Sequence, residues 1–146
     1  MSSGDVLAKA QTRLEALGIN PPVRVRADEV LQDVARRMQV EEVSALLVGA
    51  DPPSFVSERD LAHALAAGMG PESPVSRVAT ELPLRVTETM TLGEAAATMV
   101  RRGVRHLIVV NAGGDTVGVL SMRSALRILL REVEPSGWQR FFSPSD

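Results

Sequence analysis

Cysteine is absent from this chain of 146 residues, which removes disulfides, thiolate metal sites and cysteine nucleophiles. Tyrosine is absent too, and the aromatic complement is three Phe and one Trp. The core must therefore be built from Val, Leu, Ala and Met rather than from aromatic anchors. Lysine is nearly absent: Lys9 stands alone beside fifteen Arg. That bias fits a GC-rich bacterial genome, though Arg is also the better fork for a phosphate. No apolar run approaches the length of a membrane span, and the N-terminal stretch is too polar for a signal peptide. A cytoplasmic protein with no membrane contact is the expectation. A net charge of −2 argues against gripping nucleic acid by neutralising its phosphates.

Catalytic constellations are missing as well. The chain has two His, no His-Glu-x-x-His and no other metal-ligand spacing. Gly113-Gly114-Asp115 reads as a hairpin turn rather than a phosphate loop. No nucleophile, base and orienting group stand together. The expectation is a non-enzyme, with no catalytic residue, no metal and no required cofactor.

What is present is a duplication. Shifted by 61 positions, residues 22–49 fall on 83–110 with nine identities: Pro22, Arg24, Val25, Leu31, Ala35, Met38, Val43, Leu46 and Val48. Beyond residue 49 the offset becomes 64, and SERDLAHAL (57–65) meets SMRSALRIL (121–129). Each copy predicts a short strand (Val23–Arg26, Leu84–Thr87) and then an amphipathic helix with apolar residues at helical spacing. A fully apolar run follows (Ala45–Val48, Leu107–Val110), too short for a helix and suited to a strand buried on both faces. Turn residues (ADPPS, NAGGDT) lead to a third strand (Ser54–Ser57, Thr116–Ser121) that runs straight into a second helix. The unit is β-α-β-β-α. The predicted organisation is a lead-in helix within 1–19, closed by Gly18, a first repeat at 20–69, a linker at 70–79 and a second repeat at 80–131. An aromatic tail at 132–146 carries Trp138, Phe141 and Phe142.

A tandem β-α-β-β-α repeat whose strand ends in Ser-x-x-Asp resembles a CBS domain pair, the Bateman module. The resemblance rests on GVRHLIVVNAGGDTVGVLSMRSAL (103–126), SFVSERDL (54–61) and TELPLRV (80–86). Departures are Ser54 where the family has Gly before the third strand, and LEALGINPPV ahead of the first repeat. The resemblance implies an α/β (α+β) fold of small mixed sheets covered by helices, two repeats packed with pseudo-twofold symmetry, and clefts between them. It also implies a regulatory adenosyl ligand (AMP, ADP, ATP or S-adenosylmethionine), a homodimer paired through exposed helices, and an effector protein that reads the state.

The resemblance assigns the ribose to Asp60 with Ser57, and the phosphate to Arg105, His106 and Arg123. It sets the base against Pro22, Val23 and Val56. A carboxylate has two oxygens for two ribose hydroxyls, and a helix N-terminus suits an anion. Ser57-x-x-Asp60 is equally a capping box, and both roles are compatible. His106 reads also as a strand-end histidine bonded to a carbonyl, Arg105 as a surface ion pair, and Arg123, with its repeat mate Arg59, as a structural residue. Ser124 stands where Asp60 does in the other copy, so the expectation is asymmetry, with one ribose site kept and the other lost. The alternative function is a ligand-free dimerisation platform. Leu61, Leu65, Leu126 and Leu130 are the expected dimer face.

Overall fold

The apolar runs at 45–48 and 107–110 have no polar position with which to face water, so each must be a central strand. The computed structural model, which describes residues 3–19, 21–80 and 84–130, places them so. In chain order its elements are α1 (Ser3–Ala10), β1 (Arg24–Val25), α2 (Leu31–Glu41), β2 (Ala45–Val48), β3 (Ser54–Ser57), α3 (Glu58–Ala66), β4 (Arg85–Thr87), α4 (Leu92–Arg102), β5 (His106–Val110), β6 (Thr116–Ser121) and α5 (Met122–Leu130). Two units form, one of residues 21–84 and one of residues 1–20 with 85–146. Each holds a three-stranded sheet, β1-β2-β3 in the first and β4-β5-β6 in the second. The outer pairings are parallel on one side and antiparallel on the other, as expected for a mixed sheet.

In the first unit all four residues of β2 are buried. α2 turns Leu31, Val34 and Met38 inward, and α3 turns Leu61 and Ala64. These join Val25, Leu46, Val48 and Val56 in one core. In the second unit Leu92, Ala95 and Met99 of α4 are buried, as are Leu107, Ile108 and Val109 of β5 and Leu120 of β6. Among the described residues no polar or charged residue is buried. The Asn111 side chain accepts the N–H groups of Gly113 and Asp115, both at 3.0 Å, to close the β5–β6 hairpin. Ser54, the departure before the third strand, pairs with Val48 just as Gly118 pairs with Val109.

Two expectations are corrected. The lead-in is not one helix: α1 stops at Ala10, and a single 3-10 turn follows at Leu14–Ala16. The break lies where Arg13 is extended and bridges Thr91, and where the N–H of Leu92 donates to the carbonyl of Thr12 at 2.9 Å. Those contacts use backbone groups that a continuing helix would need for itself. Leu14 is thereby driven to 1% exposure, whereas Leu7, expected on the buried stripe, is 60% exposed. Gly93 lets α1 approach α4, since a Cβ there would stand 3.0 Å from the carbonyl oxygen of Ala10.

Residues 70–79, read as a linker, are instead built into the first unit. Pro74 bridges Val30, the N–H of Val75 donates to Glu29 at 2.8 Å, and a 3-10 turn spans Val75–Arg77. The two departures are one feature. Leu14 and Val75 are 61 positions apart and both are buried; Arg13 bridges Thr91 as Pro74 bridges Val30, again at that offset. Thus the first unit is completed by the segment that follows its own repeat, and the second by the segment at the start of the chain. Residues 81–83, within the predicted start of the second repeat, and the tail at 132–146 lie outside the described residues.

Candidate functional site

In the first unit, β2 and β3 run antiparallel with Ala45 opposite Ser57. The parallel register of β1 on β2 (Arg24 with Leu47) sets Val23 level with Leu46 and carries Pro22 toward the same end. That end of the sheet is also where β3 turns into α3 without an intervening residue. The turn is fixed by the N–H of Glu58, which donates to the carbonyl of Ser44 at 3.0 Å. Pro22, Val23, Ser57 and Asp60 are therefore gathered at one end of one sheet. Val56 belongs elsewhere: it is fully buried in the core of this unit.

Ser57 and Asp60 form a reciprocal capping box. The N–H of Asp60 donates to Ser57 Oγ at 3.2 Å. In return the N–H of Ser57 and its hydroxyl both donate to Asp60 Oδ2, at 2.8 Å and 3.0 Å. The carboxylate is thus used unevenly, with both bonds falling on Oδ2. Asp60 is half-buried, and neither cap bond uses its other oxygen, Oδ1.

The second unit repeats the frame without the carboxylate. His106 lies opposite Ser121, and the N–H of Met122 donates to the carbonyl of Arg105 at 2.8 Å to start α5. This brings Arg105, His106 and Arg123 together at the corresponding end of the second sheet. Arg105 and Arg123 are exposed and His106 is half-buried. Ser121 Oγ accepts the N–H of Ser124 at 2.9 Å and donates to Ser124 Oγ at 2.9 Å. A hydroxyl there offers neither the charge nor the second oxygen that Asp60 has.

Sequence reasoning missed the carbonyls of Ser44 and Arg105, which position both helix starts through backbone atoms and so leave no mark in residue type. Among the described residues no group of three or more His, Cys, Asp or Glu is placed to hold a metal. None of the described helices is long and apolar enough to cross a membrane.

The comparisons with known proteins agree with this architecture. A CBS domain model matches residues 75–131. A CBS domain protein of Pyrobaculum aerophilum, solved in complex with AMP, is 32% identical over 77% of this chain and 88% of its own, with a TM-score of 0.69. A CBS domain-containing protein of Arabidopsis thaliana is 31% identical over 144 residues, 95% of this chain. A protein of Methanopyrus kandleri is 26% identical over 105 residues. The chain spans only 54% of the Methanopyrus protein and 26% of the Arabidopsis one. With its duplicated β-α-β-β-α unit and a solved relative matched over most of both chains, this chain belongs to the CBS domain family.

Proposed function

We propose that the chain is a non-catalytic regulatory module whose ligand is an adenosyl compound: AMP, ADP, ATP or S-adenosylmethionine. In this reading Asp60 accepts from the ribose, Arg105, His106 and Arg123 take the phosphate, and Pro22 and Val23 flank the base. The observation that carries it is the Asp60 carboxylate at the start of α3, whose cap bonds fall on Oδ2 and not on Oδ1. An acceptor with a full charge makes a stronger bond to a hydroxyl than a neutral group does. The AMP complex of the Pyrobaculum relative supports the same ligand class. Signalling then requires that the ligand bind one of two states better, and a homodimer read by an effector protein is the proposed output.

A thermal-unfolding series tests it, with adenosine, AMP, ADP, ATP and S-adenosylmethionine against wild type and Asp60→Ala. A ligand at about 100 times its dissociation constant adds roughly 2.7 kcal/mol, a rise of several degrees in Tm. Asp60→Ala also loses its half of the cap, which costs about 1 kcal/mol by itself, so each protein is compared with its own unliganded Tm. A rise in wild type that disappears in Asp60→Ala is the expected outcome. No rise with any ligand in a folded protein would favour the second reading, a ligand-free dimerisation platform. That reading has its own observation: the Ser57–Asp60 cap is complete without a ligand.

A further inference from the structure

The duplication leaves one helix face different in its two copies, in size and in charge. Positions three and four apart are neighbours on a helix, so residues 62, 65 and 66 share one side of α3. They are Ala62, Leu65 and Ala66, and all three are exposed. Shifted by 64 positions, the same side of α5 holds Leu126, which is exposed, with Leu129 and Leu130, which are half-buried. The first copy thus has alanine at two places where the second has leucine. Charge divides along the same line. Residues 21–84 carry six Arg against ten Asp and Glu, a net −4. Residues 1–20 with 85–146 carry ten basic groups against eight acidic, a net +2, and the two units together give the −2 of the chain. Beside the alanines α3 exposes Glu58, whereas α5 exposes Arg123 and Arg127 and has no acidic residue.

Resting on the homodimer proposed above, we infer that the two copies join unlike repeats: α3 of one copy lies on α5 of its partner, and a twofold axis makes this contact twice. Leu126 and Leu130 of one copy then fill the room that Ala62 and Ala66 leave on the other. Joining like to like would set alanine on alanine at one contact and leucine on leucine at the other. The first leaves a gap that forfeits dispersion contacts, and the second crowds. It would also set negative unit on negative and positive on positive, where the unlike pairing sets opposite charges together. The pairing bears on the site as well. α3 starts at the Ser57–Asp60 cap, so a ligand held by Asp60 acts on the helix that touches the partner's second repeat, the one without the carboxylate.

The chain has no cysteine, so one introduced thiol reports one contact. Ala62→Cys and Leu126→Cys stand at equivalent positions of the two repeats. Made as separate proteins of distinguishable mass, they are treated with a short bis-maleimide, each alone and after subunit exchange in an equimolar mixture. The mixture is expected to give cross-linked heterodimer, and each variant alone only background. Cross-linking of either variant to itself, with no excess in the mixture, overturns the inference and leaves the homodimer standing. A dimer that cross-links in no sample does not use this face, which overturns it as well. Sedimentation of the wild type supplies a second measurement that needs no variant. Raising NaCl tenfold from about 0.05 M shortens the screening length about threefold, so the dimer should weaken by about threefold or more. A dimer that tightens with salt, or ignores it, has no opposed charges at its seam, against the inference. A wild type that is monomeric at every concentration removes the homodimer itself, a result distinct from a dimer joined like to like.

Discussion

Glu42 closes α2 in the left-handed region, with φ 56 and ψ 44, and one repeat later Gly103 closes α4 with φ 65. The chain thus makes the same helix end twice, once with the residue suited to it and once without. A side chain in this region meets its own backbone, and a carboxylate at a helix C-terminus faces the negative end of the dipole. Glu42→Gly is expected to raise stability by about 1 kcal/mol, seen as a Tm higher by a few degrees. An unchanged or lower Tm would show that the entropy glycine adds to the unfolded chain offsets the relief. At this scale the sequence was informative about which residues matter and poor on what their atoms do. The Ser57-x-x-Asp60 phrase was visible, and so was its dual reading as cap or ligand group. That both cap bonds fall on Oδ2 depends on one side-chain rotation, and spacing says nothing of rotation. Val56 shows the same limit from the other side, since adjacency to Ser57 in sequence puts it on the opposite face of the strand, in the core.

The strands and amphipathic helices followed from periodicity. The buried runs became β2 and β5, the third strands fell at Ser54–Ser57 and Thr116–Ser121, and α2 and α4 turned inward the faces their spacing marked. Periodicity failed at 4–17 and 70–79 because those segments take their geometry from partners far along the chain. Leu14 sits among residues of the second repeat, through backbone bonds from Leu14 to Met90 and from Glu15 to Glu88, both 2.9 Å. Leu14→Ala should therefore destabilise by about 2–5 kcal/mol, although it lies upstream of both repeats. Amide hydrogen exchange locates the effect: protection is expected to fall at Leu107–Val109 before it falls at Leu46–Val48. The reverse order, or a uniform loss, would contradict the assignment of this segment to the second unit.

For the chain as a whole, net charge and composition narrow the chemistry to be expected without identifying it. The exposed leucines bear on the proposed homodimer. Of the four expected on the dimer face, Leu61 is a core residue at 9% exposure, while Leu65 of α3 and Leu126 of α5 are 60% and 40% exposed. If the dimer forms through these helices, Leu65→Asp with Leu126→Asp converts it to a monomer in sedimentation without lowering Tm beyond the loss of association. A wild type that already sediments as a monomer at high concentration would remove the dimer. The sequence by itself determined the duplication, the order of strands and helices, the family they resemble and the asymmetry of Asp60 against Ser124. These are written in spacings of two to four residues and in one repeat length, which backbone geometry converts directly into structure. Tertiary structure alone decided which lead-in segment completes which unit, and which oxygen of Asp60 the cap bonds take. Both are set by burial and hydrogen bonding among groups whose meeting depends on the folded chain, and no local pattern encodes that.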